Sequence, residues 1–573
     1  MKVLKILSSS ISLALLVSGS VFGATIKVPD DYATIQQAID AAVGGDTVLV
    51  APDTYNEGID FLGKKITVRS EAGPDLTIIN TTFFILFTTG ETKETLLEGF
   101  KIIGGIDIFN GSSPQIKNCN LIGVGTHGTG GHGSIGSGSS PTFIDCQIYG
   151  GRAGIGGGYD IRGNSSATFI NCEFSKNEAG SNGGAIYINN SSASLENCTF
   201  LQNSASEEGG AIFVTGSSIL SISFCNFSEN NAQVGGGIFN GWDDNVVVVN
   251  SNFEKNNAQK WGGAIFTNAS PSFTIENCIF TENNANWHGG AIHVNWSSSP
   301  TITNSIFDEN IAGSGGGAIW IQPDSFSNIT NCTFFRNSAG WKGGAILNSG
   351  SYPTITNCIL WKNSAPVGPE IGKYINSDPD PTVKYCDINQ DGFAGSNGNI
   401  RQDPLFVDPE NGDVHLQYGS PCIDTGTSEG APNYDIDGDV RPQGSGYDMG
   451  ADEYLQFIGI ELDIKPGSYP NSINLKSKGK VPVAVLTTDD FDAYDVDPDT
   501  CVFANANPLR WRMEDVDNDS DDDMLFHFKT RELDLTKEST EATLEGETFG
   551  GIQIIGTDSV NIVPNGKGYW KEK

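Results

Sequence analysis

"ENCTFLQNSASEEGGAIFV", Glu196 to Val214, returns eighty residues later as "ENCIFTENNANWHGGAIHV", Glu276 to Val294, at the same length. The isoleucine that closes each such phrase falls at Ile186, Ile212, Ile238, Ile265, Ile292, Ile319 and Ile346, in steps of 26 or 27 residues. A second ladder runs through Cys119, Cys146, Cys172, Cys198, Cys225, Ser251, Cys278, Ser305, Cys332, Cys358 and Cys386, with serine as the only substitute. So regular a period marks a solenoid in which each unit stacks on its neighbours. The units hold short β-rich runs broken by Gly, Asn and Ser, with no helical apolar period. Leucine-rich repeats need recurrent leucine and propeller blades need about 40 residues, which leaves an all-β parallel helix of roughly 26 residues and three short strands per coil.

Strand alternation turns the repeated isoleucine inward together with its neighbour two along, as in Ile186 and Ile188. Leu195 and Cys198 are both apolar but three apart, so the chain must bend between them. Asn197 is the natural bend, because asparagine tolerates the left-handed conformation and can bond its counterpart in the next coil. Asn171, Asn250, Asn277, Asn304, Asn331 and Asn357 share that slot and are read as scaffold. The ladder cysteines stack side by side without facing one another, so they are expected to be buried free thiols.

Both signatures of the repeat, G-G-A-I and F-x-x-N (Phe174 to Asn177 through Phe334 to Asn337), recur in phase over about residues 170 to 365. In this the chain resembles polymorphic outer-membrane protein repeats, and the resemblance implies a surface protein with an adhesive β-helical region. The early stretch "IKVPDDYATIQQAIDAAVGGDTVLVAPDTY" resembles the opening of pectin-lyase-like proteins, which implies a right-handed coil. Read on its own, that stretch places Ile35, Ile39 and Ala42 on one face of a short helix able to cap the open core. The last hundred residues lack the alternating segments of a membrane barrel.

Residues 1–23 read as a secretory signal, with Lys2 and Lys5 before an apolar run and small residues up to Ala24. Residues 24–456 form the capped β-helix on this reading, and residues 457–573 a β-sandwich with strands such as "VPVAVLTT". This last segment, beginning "LDIKPGSYPNSIN", resembles a small domain appended to many exported bacterial proteins. No segment is long and apolar enough for a membrane helix. The formal net charge of −36 and the lack of any basic block exclude the electrostatic footprint of nucleic-acid binding. An exported product, secreted or held at the cell surface, is expected.

The function then rests on side chains that face out. The residue after each repeated isoleucine is Tyr187, Phe213, Phe239, Phe266, His293, Trp320 and Leu347, and alternation turns it outward. Trp261, Trp287 and Trp341 lie in the turn before the same strand. Together they predict an exposed apolar strip about 30 Å long, from six steps of ~4.8 Å, suited to a polysaccharide or a cell-surface protein. In the last segment "DVDNDSDDD" sets Asp515, Asp517, Asp519 and Asp523 at positions 1, 3, 5 and 9 of a tight loop, the spacing that converges hard oxygens on Ca²⁺. Ser520 stands where such loops prefer glycine, and no glutamate follows at position 12.

Catalysis is the alternative. Gly131-His132-Gly133 resembles one motif of the polygalacturonases, but the paired carboxylates of hydrolysis and the R-I-K motif are missing. A lyase would use outward carboxylates and an arginine on neighbouring coils, for which Asp107, Asp160 and Arg162 are the candidates. No complete catalytic motif results.

Overall fold

A computed structural model describes residues 23–563, apart from 82–83, 124–125, 271, 456, 489–490 and 550–551. The signal sequence read at residues 1–23 thus lies, but for Gly23, outside the described residues. The chain winds into a parallel β-helix whose strands form sheets of 15, 14, 9 and 12 strands, called here sheets 1 to 4 in their order along one coil. One coil shows the plan. Ser192–Glu196 belongs to sheet 1, Thr199–Leu201 to sheet 2, Ser204–Ala205 to sheet 3 and Ile212–Thr215 to sheet 4. Each strand pairs in parallel with its counterpart one coil on, Phe200 opposite Phe227 and Ile212 opposite Ile238.

The bend at Asn197 is left-handed, with φ at 51°, and so are Asn171, Asn250, Asn277, Asn304, Asn331 and Asn357. Their side chains link coils, Asn197 Nδ2 donating to Asn171 Oδ1 at 2.8 Å and Asn277 Nδ2 to Asn250 Oδ1 at 3.0 Å. A second asparagine column lies inside the wall. Asn203 Nδ2 donates to Asn230 Oδ1 at 3.0 Å and to the Phe174 carbonyl at 2.8 Å, while its backbone N–H also reaches Asn230 Oδ1. This is the asparagine of F-x-x-N, fully buried, and it satisfies the main chain where sheet 2 turns into sheet 3.

That corner produces a fourth strand in nine of the coils, where three per coil were expected. Only two residues long in most coils, it buries a small side chain apart from the main core, Ala179, Ala205 and Ala232 forming a separate column. The Gly-Gly pair follows. Gly209 has φ +65°, and a Cβ on Gly210 would sit 2.0 Å from the Gly236 carbonyl oxygen of the next coil, so the first glycine is required by conformation and the second by close approach.

Inside, the repeated isoleucines and the phenylalanines of F-x-x-N make one continuous core. The rings of Phe174, Phe200, Phe227, Phe253, Phe280, Phe307 and Phe334 stack at 4.6–4.9 Å. All eleven cysteines are buried free thiols. In the ladder, Cys198 Sγ donates to the Glu196 carbonyl at 3.4 Å, so the thiol fills space and weakly satisfies the bend.

The helix Ile35–Ala41 covers the first coil with Ile35, Ala38 and Ile39. Its exposed N–H groups at Ile35 and Gln36 are taken by the Glu57 carboxylate. At the other end the chain doubles back as a strap over the outer face of sheet 2, where Phe406, Val414, Leu416 and Met449 pack on Phe335 and Ile359. The late members of the outer asparagine column hold it: Asn357 Nδ2 donates to the Thr427 carbonyl at 2.7 Å and Asn331 Nδ2 to that of Asp448 at 3.1 Å. Asp435 and Asp448 accept backbone N–H groups within the strap. Beyond it, two four-stranded sheets enclose a second core around Ile464, Val483, Phe503, Phe526 and Leu544.

Candidate functional site

The outer face of sheet 4 carries one unbroken column. Ser134, Asp160, Tyr187, Phe213, Phe239, Phe266, His293, Trp320 and Leu347 are register partners in successive coils. Asp107 precedes Ser134 in it, accepting the Ser134 N–H at 2.9 Å, and has Leu86 as its own register partner one coil earlier. The phase read from sequence holds, since Phe213, Phe239 and Phe266 form a cluster apart from the solenoid core.

The exposure does not hold. Phe213, Phe239, Phe266, His293 and Trp320 are at most 8% exposed and Leu347 is fully covered, so the expected open strip is a second, thin core. Two causes combine. Each ring is covered above and below by the next, Tyr187, Phe213, Phe239 and Phe266 stacking at 4.9–5.2 Å. The Gly-Gly turn also lays its own ladder beside the column, through bridges joining Glu208, Val234, Trp261, His288, Gly315 and Lys342. Val234 and Trp261 pack directly on the phenylalanines. Burial holds His293 neutral, with its pKa down to about 3, and that of neighbouring His288 down to about 4.

What reaches solvent is the edge. Trp287 is 50% and Trp341 39% exposed, with Tyr187 and Trp261 half-buried. Trp287 meets Trp261 edge-on at 5.9 Å, and Trp341 meets Tyr374 edge-on at 5.5 Å. Tyr374, also exposed, was missed in sequence because it lies beyond the last regular repeat.

Of the catalytic candidates, Asp107 and Asp160 do share the outward column two coils apart. Asp160 is buried and bound to Arg162 Nε at 2.7 Å, and burial raises its carboxyl above the usual value. Arg162 in turn lies over the Tyr187 ring at 5.5 Å. His132 stands in the slot of the repeat's alanine, since its N–H pairs with the Gly158 carbonyl as that of Gly158 pairs with Ala185. It is fully buried, its Nε2 3.2 Å from the Tyr149 carbonyl, so the motif that resembled a polygalacturonase belongs to packing.

In the last segment Asp515, Asp517 and Asp523 each bring a carboxylate oxygen within 4.8 Å of the others. Asp519 departs from the expected quartet; its carboxylate accepts the Asp521 N–H at 3.2 Å. Ser520 takes φ 87° where a glycine would be unstrained. Asp523 is buried and anchors the loop, accepting the N–H groups of Thr487 and Val516. Asp463, from a strand distant in sequence, also feels the cluster: burial and the charges of Asp558, Asp517 and Asp523 raise its carboxyl. These three carboxylates are the residues of the loop that could hold a cation.

A third polar group was not foreseen. His415 in the strap holds Asp413 through Nδ1 and Asp437 through Nε2 at 2.8 Å, with Asp452 alongside. Burial opposes its charge, but the bonds to Asp413 and Asp437 outweigh it and lift the imidazole to about 9.

The chain belongs to the right-handed β-helix family, whose model of the right-handed beta helix region matches residues 95–253, 157–313 and 263–413. Among solved structures it is similar to a mutant of the PL6 family alginate lyase AlyGC, with a TM-score of 0.43 and 13% identity over 77% of this chain and 61% of that one. It thus spans about three fifths of that protein's length. It is also similar to the catalytic unit of a GH87 α-1,3-glucanase from Streptomyces thermodiastaticus, with a TM-score of 0.36 and 14% identity over 64% and 65% of the two chains. The receptor-binding domain of the Siphovirus 9NA tailspike gives 0.21 and 9% over 94% and 98%. No curated protein matches. Among the described residues no helix is long and apolar enough to cross a membrane.

Proposed function

We propose that the protein is an exported, adhesin-like polysaccharide binder, and that the rim of sheet 4 is its binding edge. The observation that carries this reading is the exposed aromatic row of Trp287, Trp341 and Tyr374, backed by a buried ring stack that fixes its position. Rings of this kind offer flat apolar faces to the C–H face of a sugar, and rigid anchors lose little entropy on binding. Lyase chemistry is the second reading, favoured by Asp107 and Asp160 in the same column with Arg162 beside them. Against it, the Asp160 carboxylate is shielded and already neutralised by Arg162. A Ca²⁺ ion held by Asp515, Asp517 and Asp523 is proposed as a structural group of the last segment, with no part in either chemistry.

A glycan array read together with product analysis on the same protein separates the two. Binding without cleavage, weakened about tenfold or more in Trp287→Ala/Trp341→Ala, is the expected result. New reducing ends or unsaturated products, lost in Arg162→Ala, would establish the lyase reading in its place.

A further inference from the structure

The outer asparagine column is broken once in its regular part. Between Asn197 and Asn250 the bend residue is Phe224, in the same left-handed conformation with φ 53° and 61% exposed. A bulky side chain is disfavoured there, and asparagine would both relax the backbone and restore the amide chain. That chain runs from Asn197 through Asn171 to Asp145 and resumes only at Asn277 and Asn250, so the Asn250 amide lacks the acceptor its counterparts have. The bend instead carries an exposed aromatic ring, as it does at Tyr385 before the last ladder cysteine, and at Phe224 that ring borders a cleft.

The ring stands at the mouth of a cleft of about 620 Å³ between sheet 2 and the strap. Ile279 and Asn252 form the floor, Asn250 the near rim, and Val414, Ile436 and Asp437 the strap wall. The lining is thus an apolar platform flanked by amides, with the carboxylates of Asp437 and Asp308 and the His415 ring at its border. Asp308, also in the lining, is occupied by Arg336, and His415 by its two aspartates, so no free cation faces the cleft among the described residues. With a net charge of −36 on the chain, a polyanion is repelled.

We infer that this cleft binds a neutral oligosaccharide, stacked on Phe224 and hydrogen-bonded through its hydroxyls to Asn250, Asn252 and Asp437. The site lies on a different face from the aromatic rim of sheet 4, and it extends the polysaccharide-binding reading to a second subsite.

The test is calorimetric titration of the full chain with cellohexaose, xylohexaose and mannohexaose, and with hexamers of mannuronate and guluronate as charged counterparts. At least one neutral hexamer binds, and Phe224→Asn weakens it about tenfold or more while leaving the melting temperature unchanged or higher. If Phe224→Asn melts lower, Ile279→Lys on the exposed floor decides by the same loss of affinity. The inference is overturned if no neutral hexamer binds at millimolar concentration, if both variants bind as the parent does, or if the uronates bind more tightly. Trp287→Ala/Trp341→Ala keeps cleft binding. Binding lost in that double variant but retained in Phe224→Asn would leave the rim as the site and remove the cleft.

Discussion

Phe239 points away from the solenoid core and is still only 8% exposed, because Phe213 and Phe266 cover its faces and Val234 belongs to the same cluster. Phe239→Ser should therefore destabilise the protein by about 3 kcal/mol or more, seen as a lower urea midpoint. Trp287→Ala, at a side chain half in water, should shift that midpoint little. Glu370 gives a second prediction at this scale. It stands in the slot of the repeat's alanine, is buried, and accepts the amide of Asn363 at the end of the inner asparagine column. Burial raises its pKa to about 8. The native state then holds a proton that the unfolded chain releases near the ordinary carboxylate value, so this stability is full below that value and is lost as pH rises through about 8. Glu370→Gln keeps an acceptor without the charge. It should melt higher than the parent at pH 9 and alike near pH 4, measured by thermal denaturation across pH.

The strands and bends were legible because each repeats one local rule many times. Asn197 had to bend the chain between two inward residues, and its φ of 51° shows that it does. The inner column at Asn177 and Asn203 was visible as a motif, but its role was not, since spacing does not say which side of the wall an amide faces. The aromatic column failed in a related way: alternation assigns Phe213 to the outer face of its strand and is silent about a turn folding over that face. Phe224 is the informative exception, a break in the column that was visible in sequence and gained meaning only beside a cleft. In the acidic loop, spacing brought three of four aspartates together, and Asp519 stands apart from them. The loop carries its own prediction. Millimolar Ca²⁺ should bind the full chain in calorimetry and raise its melting temperature, and Asp515→Asn/Asp517→Asn should remove both effects.

Over the whole molecule, the strap seals apolar surface that the last coils would otherwise present. Phe335 and Ile359 lie on the outer face of sheet 2, buried by Phe406 and Met449. A chain ended before residue 403 should bind a hydrophobic dye and self-associate, and sedimentation velocity compared with the full chain measures this. Because register partners join consecutive coils, the helix cap at one end and the strap at the other are connected only through the stack between them. A gene duplication that copied one coil ahead of the strap, such as residues 173–198, would leave every existing neighbour relation repeated intact and move the strap outward by one step of ~4.8 Å. Coil number thus works as a ruler: evolution can change the reach between the two ends in fixed increments, without redesigning either one.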